Sequence, residues 1–174
     1  MLTARNKGAC GNQIGVAVTL SAPGITATLT PMRGGEGDPA LNAALAAIFS
    51  AGHTLVMSPY ASKTALTTLA TWLDKVSGPL EQRGALGVVG WNGTLSGDTA
   101  LTTDVNAARL TMGWYPGSML PNGELAAIYA AIIASESDPA RPLNTLALPG
   151  ADITPQDKWP GRGVASRKTR WPTA

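Results

Sequence analysis

Thr54-Leu55-Val56-Met57, then Ser62 through Val76, then Leu86-Gly87-Val88-Val89 is the stretch that decides the fold. The first run is short, apolar and β-prone, which predicts a buried strand. The second places Leu66, Leu69, Leu73 and Val76 three or four residues apart, so they share one face of a helix. Gly78-Pro79 stops that helix, because glycine accepts the left-handed turn at a helix end and proline cannot continue the hydrogen-bond ladder. Leu86 to Val89 is a second strand. A strand, a helix of this length and another strand form a crossover unit, and a crossover brings its two strands together in parallel.

The alternation continues in both directions. Downstream, a weaker helix spans about Asp98 to Ala108 and Leu110 to Trp114 reads as a strand. The apolar run Glu124 to Ala134 reads as a further helix, with Asn122 as its N-cap. Upstream, Leu41, Leu45, Ile48 and Phe49 recur at helical spacing and Gly52 ends that helix. Asp38 offers a capping oxygen to it, and Pro39 suits its first helical position. Before it lie the glycine-rich link Gly34-Gly35-Glu36-Gly37 and two β-prone runs, Val16 to Leu20 and Ile25 to Leu29. The turn signal Ser21-Ala22-Pro23-Gly24 joins those runs, so they predict a β-hairpin.

The expected fold is therefore α/β: a mainly parallel, mixed sheet with helices on both faces and an N-terminal β-hairpin, as a single domain over residues 1–150. Residues 151–174 mix Arg162, Arg167, Lys168 and Arg170 with Gly, Pro and Trp and show no apolar period, which predicts an irregular basic tail. Between the two, Asp138-Pro139-Ala140-Arg141-Pro142 makes a stiff corner. Each proline fixes φ and biases the preceding residue away from the helical region, so the last helix must stop near Ser137 and Leu143 to Leu148 leave as an extended segment.

Composition excludes several classes of function. With 174 residues the chain is long enough to bury a core, and charged residues make up only 14% of it. Such sparse charge suits a protein whose faces neighbours cover, and a large α/β core would also lower it. A net charge of +2 is too small to argue for nucleic acid, and a strip formed by the basic tail with Trp159 and Trp171 reads as a solvated tail. No apolar stretch reaches the length of a membrane span, and the N-terminus has no apolar signal region. The single Cys10 cannot form an internal disulfide and fits a reducing compartment.

Catalytic patterns are missing too. His53 is the only histidine, and its place between Gly52 and a strand reads as structural rather than as a general base. Thr94-Leu95-Ser96-Gly97 lacks the leading glycine of a nucleophile elbow. One Cys and one His do not build a usual zinc site, and no acidic loop suggests calcium or magnesium. The glycines at 34, 35 and 37 precede a helix, but no Lys-Ser/Thr follows as in a phosphate-binding loop. The reading is a non-enzyme without metal or cofactor. Tyr129, Ile128 and Ile132 are core packing, and Arg5 and Arg141 are candidates for ion pairs or subunit contacts.

A family resemblance agrees with that reading. The last helix with Asp138-Pro-Ala-Arg-Pro-Leu-Asn-Thr-Leu146 and Leu148-Pro-Gly150 resembles the tail sheath proteins of Mu-like contractile-tailed phages and prophages. Leu2-Thr-Ala-Arg-Asn-Lys-Gly-Ala-Cys-Gly-Asn12 resembles the start of that family's central domain. Thr30-Pro-Met-Arg-Gly-Gly-Glu-Gly-Asp-Pro39 resembles its link from first hairpin to first helix, and Val56-Met-Ser-Pro-Tyr60 and Gly90-Trp-Asn-Gly-Thr-Leu95 resemble two of its strand-exit loops. The resemblance spans roughly residues 2–150; the family's N-terminal and C-terminal parts have no counterpart here, as in a truncation or a chosen domain boundary.

The resemblance implies a structural subunit of a virion tail, assembled in the bacterial host cytoplasm. Its partners would be other sheath subunits, the tail tube and the baseplate. It implies a domain sometimes named subtilisin-like for its fold, with no active site; fold does not carry activity. Arg5, Asn12, Asp138, Pro139, Arg141 and Pro142 become its structural or subunit-contact candidates. Because the family's strand-donating arms are missing, the isolated chain is expected to be mainly monomeric. The competing expectation is an autonomous small-ligand or nucleotide-binding α/β domain without catalysis, of the flavodoxin-like kind. Its site would lie at Ser58-Pro-Tyr60, Trp91-Asn-Gly93 and Tyr115-Pro-Gly117, beyond the carboxyl ends of the strands.

Overall fold

The computed structural model describes residues 2–5, 8–21, 24–115, 118, 120–138, 140, 148 and 150. Three parallel strands, β1 (Leu55–Ser58), β2 (Leu86–Trp91) and β3 (Leu110–Trp114), lie in the order β1-β2-β3. Leu55 pairs with Leu86, and Gly90 pairs with Gly113. The connections are α2 (Lys63–Val76) and α3 (Leu95–Val105), and α4 (Asn122–Ser135) follows β3; α1 (Asn42–Ile48) precedes the sheet. The α/β fold with parallel strands is thus as the sequence predicts.

Helices cover both faces of the sheet, and two glycines of β2 show how. Side chains three apart on a strand point to opposite faces. A Cβ on Gly87 would lie 2.7 Å from the methyls of Leu73 and Leu110, so that face packs on α2. A Cβ on Gly90 would press into the backbone and side chains of Asn122, Leu125 and Ala126, so the other face packs on α4. The α2 side holds the main core, with Leu66, Leu69, Leu73, Val76 and Val89 at 0–1% exposure. All but Val89 are the residues whose spacing predicted the helix. On the α4 side, Val88, Leu125 and Ala126 are equally buried.

Several expectations need correction. Val16 to Leu20 and Ile25 to Leu29 form no strand ladder among the described residues; the sheet there is wholly parallel, with no hairpin at its edge. Turn chemistry alone does not hold two strands together without a surface to pack on. The first helix begins at Asn42, not at Asp38-Pro39. Ala9 N–H donates to Gly37 O at 2.9 Å and Gly37 sits at φ 65°, which keeps this stretch out of the helix. Leu41 rather than Asp38 takes the N-cap position, and it offers no side-chain cap.

β1 starts at Leu55 and is a half-exposed edge strand rather than a buried one, with Met57 43% exposed. His53 is exposed, so it is not a buried structural histidine. The third helix runs earlier than predicted because Thr94 caps it, accepting from Gly97 N–H at 3.2 Å, and Asn106 ends it at φ 40°. Asn122 is the first helical residue of α4, behind Pro121. The tail 151–174 and the segment Leu143 to Leu146 lie outside the described residues.

Candidate functional site

An open α/β sheet binds ligands where neighbouring strands send their connections to opposite faces. Here that place is between β2, which leads to α3, and β3, which leads to α4. Its lining is polar, as the sequence suggests, but the chain's own groups occupy it. Asn92 N–H donates to the Asn122 side-chain oxygen at 3.0 Å, and the Asn92 amide donates to Leu120 O at 3.0 Å. Trp114 Nε1 donates to Gly93 O at 2.8 Å, and Tyr115 N–H to Trp91 O at 2.9 Å. The Trp91 indole turns back on its own loop, donating to Thr94 O at 3.0 Å, with Gly93 and Gly97 packed beneath its ring.

Asn122 joins these parts. It is 1% exposed, and a buried amide must be hydrogen-bonded to offset its desolvation. Its own N–H is one of the orphan donors at a helix start, and it is satisfied from far along the chain. Gln13 Oε1 accepts from it at 2.9 Å. Pro59, in the exit loop of β1, packs against Gly123 and closes the other side of that helix end. At β1, Ser58 is 3% exposed and exchanges hydrogen bonds with Tyr60 N–H and O, each at 3.2 Å. Tyr115 is buried, and burial pushes its phenol well above the usual tyrosine range, with the neighbouring Tyr129 adding to the shift. The exit loops of β1 and β2 are therefore tied internally; of the third, Pro116 and Gly117 lie outside the described residues.

The contact candidates fare differently. Asn12 makes a peptide-like double bond pattern with Gly35: its amide donates to Gly35 O and its oxygen accepts from Gly35 N–H, both at 2.8 Å. With Ala9 N–H on Gly37 O, this zips the short 3-10 turn Ala9–Gln13 to the glycine-rich link. The link thus has a backbone role and not a phosphate-cradling one: a Cβ on Gly35 would run into Gly8 O. Arg5 and Asp138 are both exposed. Asp138 Oδ1 accepts from Ala140 N–H at 2.9 Å, a local turn bond. Pro139, Arg141 and Pro142 lie outside the described residues. Asn12 and Asp138 belong to separate local bonds and converge on no common site.

Sequence reasoning missed Gln13 and Arg83, and it placed Asn92 in a ligand-facing loop rather than on Asn122 and Leu120. Arg83 donates to Phe49 O at 2.6 Å, lies over the Phe49 ring at 4.9 Å and pairs with Glu81 at 3.0 Å. No local pattern marks such partners, because they meet across 34 residues in one case and 109 in another. No group of three or more His, Cys, Asp or Glu among the described residues could hold a metal. No helix among them is long and apolar enough to cross a membrane. Comparison with models of protein families, with curated proteins and with solved structures gives no match.

Proposed function

We propose that this chain is the central domain of a contractile tail sheath subunit, of the kind found in Mu-like phages and prophages. It would stack with copies of itself around a tail tube, with a baseplate below, in a virion tail assembled in the bacterial host cytoplasm. Contraction would be a change between two packings of rigid domains, with energy stored in the extended assembly and no nucleotide consumed. The residue stretches that resemble the family motivate the reading. The observation that carries it is the state of the strand-end crevice. Asn92, Asn122 and Trp114 bind the chain's own backbone there, where a ligand-binding domain would keep polar groups for its ligand.

Sequencing the DNA on both sides of the coding segment and translating all frames tests the proposal. Continuation into regions with sheath-like strand-donating arms supports it, as does formation of tubes by the longer product under the electron microscope. Residues 1–174 alone are expected to form no tubes; long tubular polymers from them would contradict that account. The competing reading, a ligand-binding α/β domain, rests on the polar residues of the three exit loops. A rise in melting temperature with a nucleotide or flavin, by mass action on the folded state, would favour that reading and sink ours.

A further inference from the structure

We propose that the outer edge of β1 is the docking site of this chain's own residues 143–147, added there as a fourth parallel strand. Thr54 O accepts from Leu86 N–H at 2.9 Å. Neighbouring residues of a strand aim their backbone groups to opposite sides, so Leu55 and Met57 aim theirs away from β2. No strand pairs with them there among the described residues. β1 reads Leu-Val-Met-Ser, the uncharged run of a strand with neighbours on both sides, and has no lysine or proline to protect an open edge. Met57 pairs with Val88 and faces α4 with it, yet Val88 is 0% exposed and Met57 43%. A strand beside β1 would cover what α4 leaves open.

Handedness selects the occupant. The connections through α2 and α3 carry the chain from β1 to β2 to β3. Both helices cover one face, since Leu101 and Val105 of α3 pack on the cluster that holds Leu66, Leu69 and Leu73 of α2. α4 covers the other face. Connections between parallel strands are right-handed in about 98% of cases, which ties the face a helix covers to the direction in which the chain steps. With the face reversed, the step reverses, from β3 back across β2 to the far side of β1. α4 lies that way: it touches β1 more than β3, and Gly123 at its start packs on Pro59 beyond β1. It also runs opposite to the strands. Asn122 bonds Asn92, just past the end of β2, while the Tyr129 hydroxyl lies 3.2 Å from Thr111 Oγ1, near the start of β3. The chain therefore leaves α4 at the starting ends of the strands, and a segment entering the sheet from there runs parallel to β1. Residues 136–142 can reach about 20 Å at roughly 3.3 Å per residue, and packed layers lie about 10 Å apart. Leu143-Asn144-Thr145-Leu146-Ala147 is uncharged, and Pro149 soon follows. A short tether presents it to the edge at an effective concentration of order millimolar, an advantage that a second copy or another protein lacks. The inference does not rest on the sheath reading, which stands or falls separately.

Cysteine cross-linking in the whole chain tests it. Cys10→Ser removes the native thiol, and Met57→Cys is then combined in turn with each single substitution from Leu143→Cys to Ala147→Cys and treated with a mild oxidant. Adjacent strands lie about 4.8 Å apart, within the Cα separation that a disulfide needs. An intramolecular disulfide is expected at positions of one parity only, because alternate side chains of a strand face opposite sides. Thr111→Cys in place of Met57→Cys should give none; Thr111 also pairs with Val88, but on the β3 side. Circular dichroism checks that the variants fold. Hydrogen exchange of the unsubstituted chain is the second measurement, and the Leu55 and Met57 amides should exchange at least tenfold slower than in a free peptide. Cross-links to Thr111→Cys instead, disulfides between two copies, equal cross-linking at neighbouring positions, or freely exchanging Leu55 and Met57 amides would overturn the inference. Slow exchange without any cross-link would overturn it too, by giving the edge to another occupant.

Discussion

The region from Leu55 to Ser135 and the region from Leu2 to Ala40 use similar apolar residues to opposite ends. In the first, Leu66, Leu69, Leu73, Val88, Val89 and Leu125 are shut from water between sheet and helices. In the second, Gly11 is the only buried residue among those described, while Ile14, Val18, Leu20, Ile25 and Leu29 face outward. The difference is one of closure. A βαβ unit supplies its own cover, since each crossover helix returns over the strands it connects. Two short extended segments have no such return, and an isolated pair of strands is marginal in water. One region closes over its apolar residues; the other leaves several of its own exposed.

Gly90→Ala should break the closed region most severely. Its new Cβ would meet Asn122 O, with Ala126 N 2.7 Å away, and both are backbone atoms of α4 that no rotamer change can move aside. We expect a loss of about 3 kcal/mol or more, near the upper end for overpacking. Gly84→Ala, where no atom lies within 4 Å and φ is ordinary, is the control and should be near neutral. Thermal unfolding of the two variants measures the contrast. Equal effects would mean that α4 does not sit on β2 as described.

Truncating one leucine in each region sharpens the same comparison. Leu69→Ala removes a side chain that is 1% exposed, and should cost about 3 kcal/mol from lost burial plus the cavity. Leu29→Ala, at a 46% exposed site, should stay within about 0.5 kcal/mol. Urea titrations give both values. A large loss for Leu29→Ala would show that this leucine is packed against its own chain after all.

Alkaline pH probes the closed region through Tyr115. Tyr115 is held protonated by burial in the folded state, whereas the unfolded chain ionises it at the ordinary value of about 10. The folded pKa is raised, so its contribution is intact below about pH 10 and is lost as pH rises beyond that, when the unfolded state releases its proton first. Denaturant unfolding at pH 9 and pH 11 should show stability falling, with a shallower fall in Tyr115→Phe. An unchanged slope in that variant would place the phenol in water.

What could be read from the sequence follows the same division. α2 and β3 were legible because their signals are local: leucines on one helical face, and an apolar run ended by turn residues. Helix α1 was misplaced because Asp38 and Pro39 are good starting residues whose backbone is held elsewhere, by Ala9 and Asn12 acting on Gly37 and Gly35. The hairpin failed since β-propensity describes a fit to a half-buried surface, and no such surface is there. Asn122 was legible as a residue of the α4 start but not in its role. Its side chain serves Asn92 rather than its own helix.

Gln13 links the two regions, and its removal should have a modest and local effect on stability. Its amide oxygen satisfies the first N–H of α4, and that bond crosses from the N-terminal region to the sheet. Gln13→Ala should cost about 1 kcal/mol or more, because the N–H it leaves without an acceptor belongs to the buried Asn122. Hydrogen exchange should show where that loss falls. Amides of residues 9–13 and 35–37 are expected to exchange several-fold faster, while β2 and α2 keep their protection. Gln13→Glu keeps the acceptor and adds a negative charge at the positive end of α4, so it should restore the slow exchange. If both variants exchange like the parent, the zipped segment is held by its own Asn12–Gly35 and Ala9–Gly37 bonds, and the N-terminal region is anchored independently of the sheet.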